Sequence, residues 1–367
     1  MFLYGETIIL NGYKLKNNGS WLSMLLCTGI CFIIYGIYAL IMSRNPGKDI
    51  FEIFVDIFGK IFGRLFIFIF IVFCMFVGIE AIKNITIFII TLTFPETPVM
   101  YIAFVLLIVI YIIVRCGIEV LGRASCVIFP LIALTVVLFL TLLIDKIDIR
   151  NIKPLVAEPF KNIAKGGIFN FLIIFGDGVI FLGIITSSES KSNHLKSYYM
   201  ANIISGFLFI LSILGNIAVL GLPLVNYIYF QTFMAISVID IAQFLTRMEV
   251  ILSLVILLCV LFRAIICIYV ASKGAQKLFA KKDYKKFILP FCLIAFFFAV
   301  ETLQNIEEVD RFRIKYSWIK SIVQVGIPLI LAIIIVIKGS KPQPAEEPKK
   351  VLPLKMFKKI VFKRIAN

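Results

Sequence analysis

The chain has one histidine, His194, in 367 residues, and charged residues make up only 16% of it. A single histidine argues against a histidine-built metal site or a catalytic triad. Eight cysteines are present: Cys27, Cys31, Cys74, Cys116, Cys126, Cys259, Cys267 and Cys292. None forms CxxC or another metal spacing, and all lie in or beside apolar runs. They read as small buried hydrophobes rather than a disulfide framework. No Walker loop, GxGxxG, HExxH or nucleophile elbow occurs, so nothing supports an enzyme or a bound cofactor. The opening residues, MFLYGETIILNGYK, have no basic region ahead of a long apolar core and are no secretory signal.

What the chain has instead is apolar length. Hydrophobic residues make up 61% of it. Several runs exceed the roughly 18–20 apolar residues that span a bilayer. An all-α polytopic membrane protein follows, because backbone polar groups in lipid must be satisfied within helices. Nine full spans are expected, at about 21–42, 65–93, 98–114, 125–144, 168–187, 198–220, 249–272, 287–303 and 322–337, with a partial element at 2–10. The organisation is then a partial first helix and loop (1–20), a transmembrane bundle (21–337) and a basic tail (338–367).

The net charge of +16 does not point to nucleic acid, because the basic residues sit mostly in loops and in the tail. Loops 43–64, 115–124, 188–197 and 273–286 together with the tail hold 23 Lys and Arg, against 12 in the opposite set. The first set is therefore expected on the cytoplasmic side. Residues 46–64 place apolar side chains at 50, 53, 54, 57, 58, 61 and 62, and charges at 52, 56, 60 and 64. That spacing predicts an amphipathic helix at the cytoplasmic interface. In the tail, Lys349, Lys350, Lys355, Lys358, Lys359, Lys363 and Arg364 alternate with apolar residues. Contact with anionic lipid is expected there, and docking on an acidic partner protein is the alternative.

Four charges fall inside spans: Glu80, Lys83, Asp177 and Arg263. Each costs about 2.5–3.5 kcal/mol near a helix centre. Glu80 and Lys83 are three residues apart on one helix and can pair with each other. Asp177, nine residues into its span, is flanked by Gly176 and Gly178 in FLIIFGDGVIFLGIIT. Glycine costs about 1 kcal/mol in a helix relative to alanine. Two of them beside a midplane acid predict a local break lining a polar cavity, the way many transporters build a ligand site. Two plainer readings stand beside it: glycines for close helix packing, and an interhelical Asp177–Arg263 ion pair.

Several stretches, in order, resemble the B subunits of GerA-type spore germinant receptors. They are RNPGKDIFEIFVDIFGKIFG, FPETP (94–98), GIEVLGRASCVIFPLI (117–132), DIRNIKPLV (148–156), FGDG, and FLTRME (244–249), where Thr246 stands in place of the family's first acid. YGETIIL (4–10) resembles the second half of a broken first helix whose first half would lie upstream of Met1. The nine spans would then be the family's second to tenth helices.

The resemblance implies a fold similar to the amino acid–polyamine–organocation transporters, a LeuT-like bundle of inverted repeats. It further implies a membrane subunit in the spore inner membrane of an endospore-forming bacterium. Such a subunit acts with an A subunit and a lipoprotein C subunit, binds a small nutrient, often an amino acid, and triggers germination. The implied ligand site comprises Gly5, Thr7, Glu80, Lys83, Gly176, Asp177, Gly178 and Arg263. The alternatives are an amino acid or ion transporter or channel of the same superfamily, and a structural receptor subunit with no ligand of its own.

Overall fold

The computed structural model describes residues 1–4, 19–45, 47–154, 158–185, 191–237, 248–302 and 306–338. Described residues form helices α1 (Ser20–Arg44), α2 (Ile50–Leu92), α3 (Val99–Cys116), α4 (Ile118–Leu142), α5 (Phe160–Ile173), α6 (Lys191–Tyr227), α7 (Gln231–Ser237), α8 (Met248–Leu278), α9 (Lys285–Glu301), α10 (Ile306–Ser321) and α11 (Ile327–Ile337). No strand occurs among them. Besides two short 3-10 turns, Ile144–Lys146 and Ile149–Ile152, two irregular segments interrupt this pattern. A 3-10 stretch, Phe175–Gly183, continues α5, and a π-helical turn, Ile322–Gly326, joins α10 to α11.

Eight helical stretches among the described residues are long and apolar enough to cross a membrane. The chain is an all-α polytopic membrane protein. Each of the nine expected spans falls on a helix. The exception in length is α9: its 17 residues reach about 25 Å at 1.5 Å per residue, short of a hydrocarbon core of about 30 Å.

The bundle is organised around α2 and α8, which share the most extensive helix–helix contact, and α1 lies against both α5 and α6. Methionines and aromatics such as Met24, Tyr35, Tyr38, Phe70 and Phe209 are fully enclosed there. Exposed Phe, Leu, Ile and Val residues cover α3, α4 and α9, as expected of surfaces facing acyl chains. Six of the cysteines are buried as expected, whereas Cys116 and Cys126 are exposed, at the end of α3 and on α4.

Two features depart from the sequence-based expectation. First, residues 304–321, between the expected spans 287–303 and 322–337, carry seven charges, yet Ile306–Ser321 is helical. Its charges do not form one solvated face. Val309, Arg313, Ser317 and Lys320 are all buried and recur at the i, i+4, i+8, i+11 spacing of one helix stripe.

Second, the segment within 46–64 is a folded-back hairpin at the start of α2. Asp49 caps it in a reciprocal capping box with Glu52. Gly59, at φ 77° and ψ 178°, reverses the chain. The two arms interlock through Phe51–Phe70, Phe54–Phe66 and Phe58–Phe66 ring contacts at 5.7, 5.8 and 4.4 Å. Ile50, Phe51, Ile53 and Phe54 are buried in protein, against the second arm of the hairpin and α8, whereas Ile61 and Phe62 beyond Gly59 are exposed. Lys277 of α8 reaches Glu52 at 2.5 Å, and Lys273 reaches Asp49 at 3.5 Å.

The hairpin sets a test of the packing. A Cβ on Gly63 would lie 2.6 Å from the Val55 Cα, a backbone atom that cannot swing aside, whereas a Cβ on Gly29 of α1 meets nothing within 4 Å. Gly63→Ala is expected to lower stability by about 1–3 kcal/mol, and Gly29→Ala to leave it level or raise it by up to about 1 kcal/mol. Thermal melting of the detergent-solubilised chain measures both.

Candidate functional site

Asp177 lies in the first turn of the 3-10 stretch and has no exposed surface. The helix does break here, although not through unusual glycine conformations: neither Gly176 nor Gly178 has a positive φ. Their role is close approach. A Cβ on Gly176 would fall 2.5 Å from the Gln324 amide, and one on Gly178 would fall 2.8 Å from the Tyr35 hydroxyl. The local break and the close helix packing expected of FGDG therefore occur together. The α-helical hydrogen-bond pattern ends at Ile173, and the absent side chains let the π-helical turn and α1 come against the 3-10 backbone.

Breaking a helix frees carbonyl groups that need donors. Tyr35 and Tyr38, three residues apart on α1, supply two. The Tyr35 hydroxyl donates to the Phe175 carbonyl at 2.6 Å, and the Tyr38 hydroxyl donates to the Gln324 carbonyl. The Gln324 side-chain NH2 donates to the Leu172 carbonyl in the last turn of α5 at 3.0 Å, and to Asp177 Oδ1 at 2.7 Å. One π-turn residue thus joins both irregular segments. Tyr198 of α6 packs between the two tyrosines, with ring centroids 5.3 and 6.0 Å away.

The other Asp177 oxygen accepts from Arg263 of α8, which is also fully buried. Lys320, at the end of α10, stands 3.7 Å from Asp177 Oδ2 and 2.8 Å from Glu80 Oε2. Arg313, two turns earlier, donates to Glu80 Oε1 at 2.5 Å. Two carboxylates and three cations from α2, the 3-10 stretch, α8 and α10 so form one continuous buried network.

Sequence reasoning placed Glu80, Asp177 and Arg263 at the centre, and the structure brings all three into this network. It missed Arg313, Lys320 and Gln324. Their signal was present as polar residues on one helical stripe at 313, 317, 320 and 324. The expected Glu80–Lys83 pair does not form, because both Glu80 oxygens are taken by α10. Lys83 instead lines a cavity of about 680 Å³ between α2, α9 and α10, together with Glu80 and Arg313.

Residues 1–4 reach the network from the other side. The Phe2 ring lies under the Arg263 guanidinium, 5.0 Å from its carbon, and the Tyr4 and Ser212 hydroxyls are 3.3 Å apart. The Met1–Leu3 segment also lines a cavity of about 570 Å³ with α4, α6 and α8. Gly5 and Thr7 lie outside the described residues, as do Lys349 to Arg364 in the tail. Among the described residues no group of three or more His, Cys, Asp or Glu is placed to hold a metal ion.

Burying an ion pair costs desolvation, and removing one partner leaves the other charge uncompensated. Asp177→Asn or Arg263→Met alone is expected to cost about 3–5 kcal/mol of stability, and the double replacement less than either. A double-mutant cycle in thermal melting reads this directly. Additive losses would mean that the two side chains are energetically independent.

Comparisons with known proteins give the family. The family profile described as "Spore germination protein" matches residues 2–309. The chain is 24% identical over 357 residues to Spore germination protein KB of Bacillus subtilis (strain 168), covering 95% of this chain and 96% of that protein. It is 26% identical over 323 residues to the Putative spore germination protein YfkT of the same organism, covering 86% of each. A buried charge network at two broken helices, inside an all-α membrane bundle with this ordered set of matching segments, is thus that of a chain which belongs to the spore germination protein family, and resembles the B subunits of GerA-type receptors.

Proposed function

We propose that this chain is the membrane subunit of a spore germinant receptor that binds a small nutrient, an amino acid, beside Asp177. The observation that carries this is the Asp177–Arg263 pair set where the 3-10 stretch and the π-helical turn meet. Irregular backbone at membrane depth is tolerated only where protein buries it or where it lines a cavity. The pair is also the electrostatic image of an α-amino acid. A zwitterion replaces it without net change of buried charge, its ammonium on Asp177 and its carboxylate on Arg263. Gly176 and Gly178 let Gln324 and Tyr35 pack against the 3-10 backbone beside the pair, and Gly5 and Thr7 belong to the same proposed site. Glu80 acts through Lys320, which is within 4 Å of both carboxylates. Lys320 therefore changes its share between them when Asp177 changes partner, and that biases two arrangements of α10.

On this reading the bundle is a LeuT-like pair of inverted repeats in the spore inner membrane. The A subunit and the lipoprotein C subunit are its partners. Lys349, Lys350, Lys355, Lys358, Lys359, Lys363 and Arg364 meet anionic lipid or an acidic face of a partner. The complete burial of both Asp177 and Arg263 also favours a second reading, a structural subunit in which the pair only ties helices together.

Spores carrying Asp177→Asn separate the two. Loss of a charge-assisted contact to the ligand is expected to raise the nutrient concentration for half-maximal germination by about tenfold or more, beyond what the lowered abundance of this destabilised variant accounts for. Germination by a nutrient-independent agent is expected to stay normal. A normal nutrient response at normal abundance would overturn the ligand role. A lowered abundance that accounts for the whole defect would favour the structural subunit.

A further inference from the structure

Lys83 is the buried cation that the network leaves out. It is 4% exposed, and among the described residues it makes no hydrogen bond and no ion pair. Glu308 on α10 attracts it without forming an ion pair. Its side chain lines the cavity of about 680 Å³ between α2, α9 and α10, a volume typical of small-molecule sites. Glu80, Arg313 and Thr302 also line it, and the remaining walls are apolar, among them Val72, Phe76, Ile294, Phe298 and Phe312. Phe76 and Phe312 stack at 5.7 Å. A cation without an ion pair among the described residues is costly beside apolar helices, and the cavity supplies room for what compensates it.

We infer that this cavity is a second ligand site, separate from Asp177, which takes a small hydrophobic monocarboxylate. The carboxylate pairs with Lys83 and the apolar body packs on the phenylalanines. One negative charge is what the site pairs, because the Arg313 charge on the same wall is already held by Glu80 and only Lys83 lacks a carboxylate partner among the described lining residues. An ammonium finds no acceptor there, since Arg313 and Lys320 already occupy the two Glu80 oxygens. The site therefore distinguishes a carboxylic acid from the corresponding amine, and gains nothing from an α-amino group.

The full chain in phosphatidylcholine nanodiscs, titrated calorimetrically with 3-phenylpropanoate, 3-phenylpropylamine and sodium chloride, tests this. Saturable binding of 3-phenylpropanoate is expected, with the amine and chloride at least about tenfold weaker. Lys83→Met is expected to weaken 3-phenylpropanoate by about tenfold or more, while the melting temperature of the unliganded protein stays level or rises. Val72→Trp, at a half-exposed wall position, keeps Lys83 and fills the groove, and is expected to abolish binding.

No saturable binding by the wild type would overturn the inference. So would equal binding of the amine, or unchanged affinity in Lys83→Met. Chloride that binds as well as 3-phenylpropanoate would overturn the role given to the apolar walls. Asp177 and Arg263 take no part, so failure here leaves the proposed nutrient site untouched.

Discussion

The structure turns on one carboxylate that has no water. Asp177 sits with zero exposure among apolar helices, where an unpaired charge is prohibitively expensive. Each neighbouring element is placed so as to answer it. Arg263 of α8 supplies the counter-charge, the Gln324 amide takes the second oxygen, and Lys320 stands within reach. Gln324 can come so close only because Gly176 has no side chain. The glycines, the π-helical turn and the buried arginine are thus parts of a single solution.

That solution creates a second demand, which α1 meets. A helix that changes from α to 3-10, facing another that widens into a π turn, frees carbonyl oxygens in the hydrocarbon region. Tyr35 and Tyr38 lie one turn apart and each donates to one of the two irregular segments. The same α1 packs against α5 and α6. It therefore couples the break at Asp177 to the rest of the bundle. Irregular turns of this kind are costly unless the surroundings over-determine them, and they concentrate where structure is put to use.

Much of this was legible in the sequence. The helices follow from apolar run length, and Asp177, Arg263 and Glu80 stood out because charge is rare in such runs. What stayed hidden was pairing. Glu80 and Lys83 share a helix and have compatible spacing, yet a single helix cannot show which of its faces meets another. Arg313 and Lys320 were hidden by their setting: surrounded by Glu307, Glu308 and Arg311, they read as loop charges. Mean hydropathy averages over a helix and misses a polar stripe. The stripe of Arg313, Ser317, Lys320 and Gln324 is visible only when the segment is read at helical period. The hairpin at Gly59 was masked similarly, because a period-3.6 pattern continues unbroken through a residue that reverses the chain.

The stripe on α10 also explains why the network is continuous. Arg313 and Lys320 are two turns apart, which matches the separation needed to hold both oxygens of one glutamate from the same helix. Lys320 is then one turn from Gln324, where the π turn shifts the register and aims the amide at Asp177 instead of along the Glu80 side. A regular α-helix here would keep both contacts on one line. The π turn adds the Gln324 contact to Asp177, while Lys320 in the α-helical part stays within reach of both acids. The two carboxylates are thereby tied to one helix at its single irregular point. Lys320, 2.8 Å from Glu80 and 3.7 Å from Asp177, is the α10 side chain that stands between the two acids.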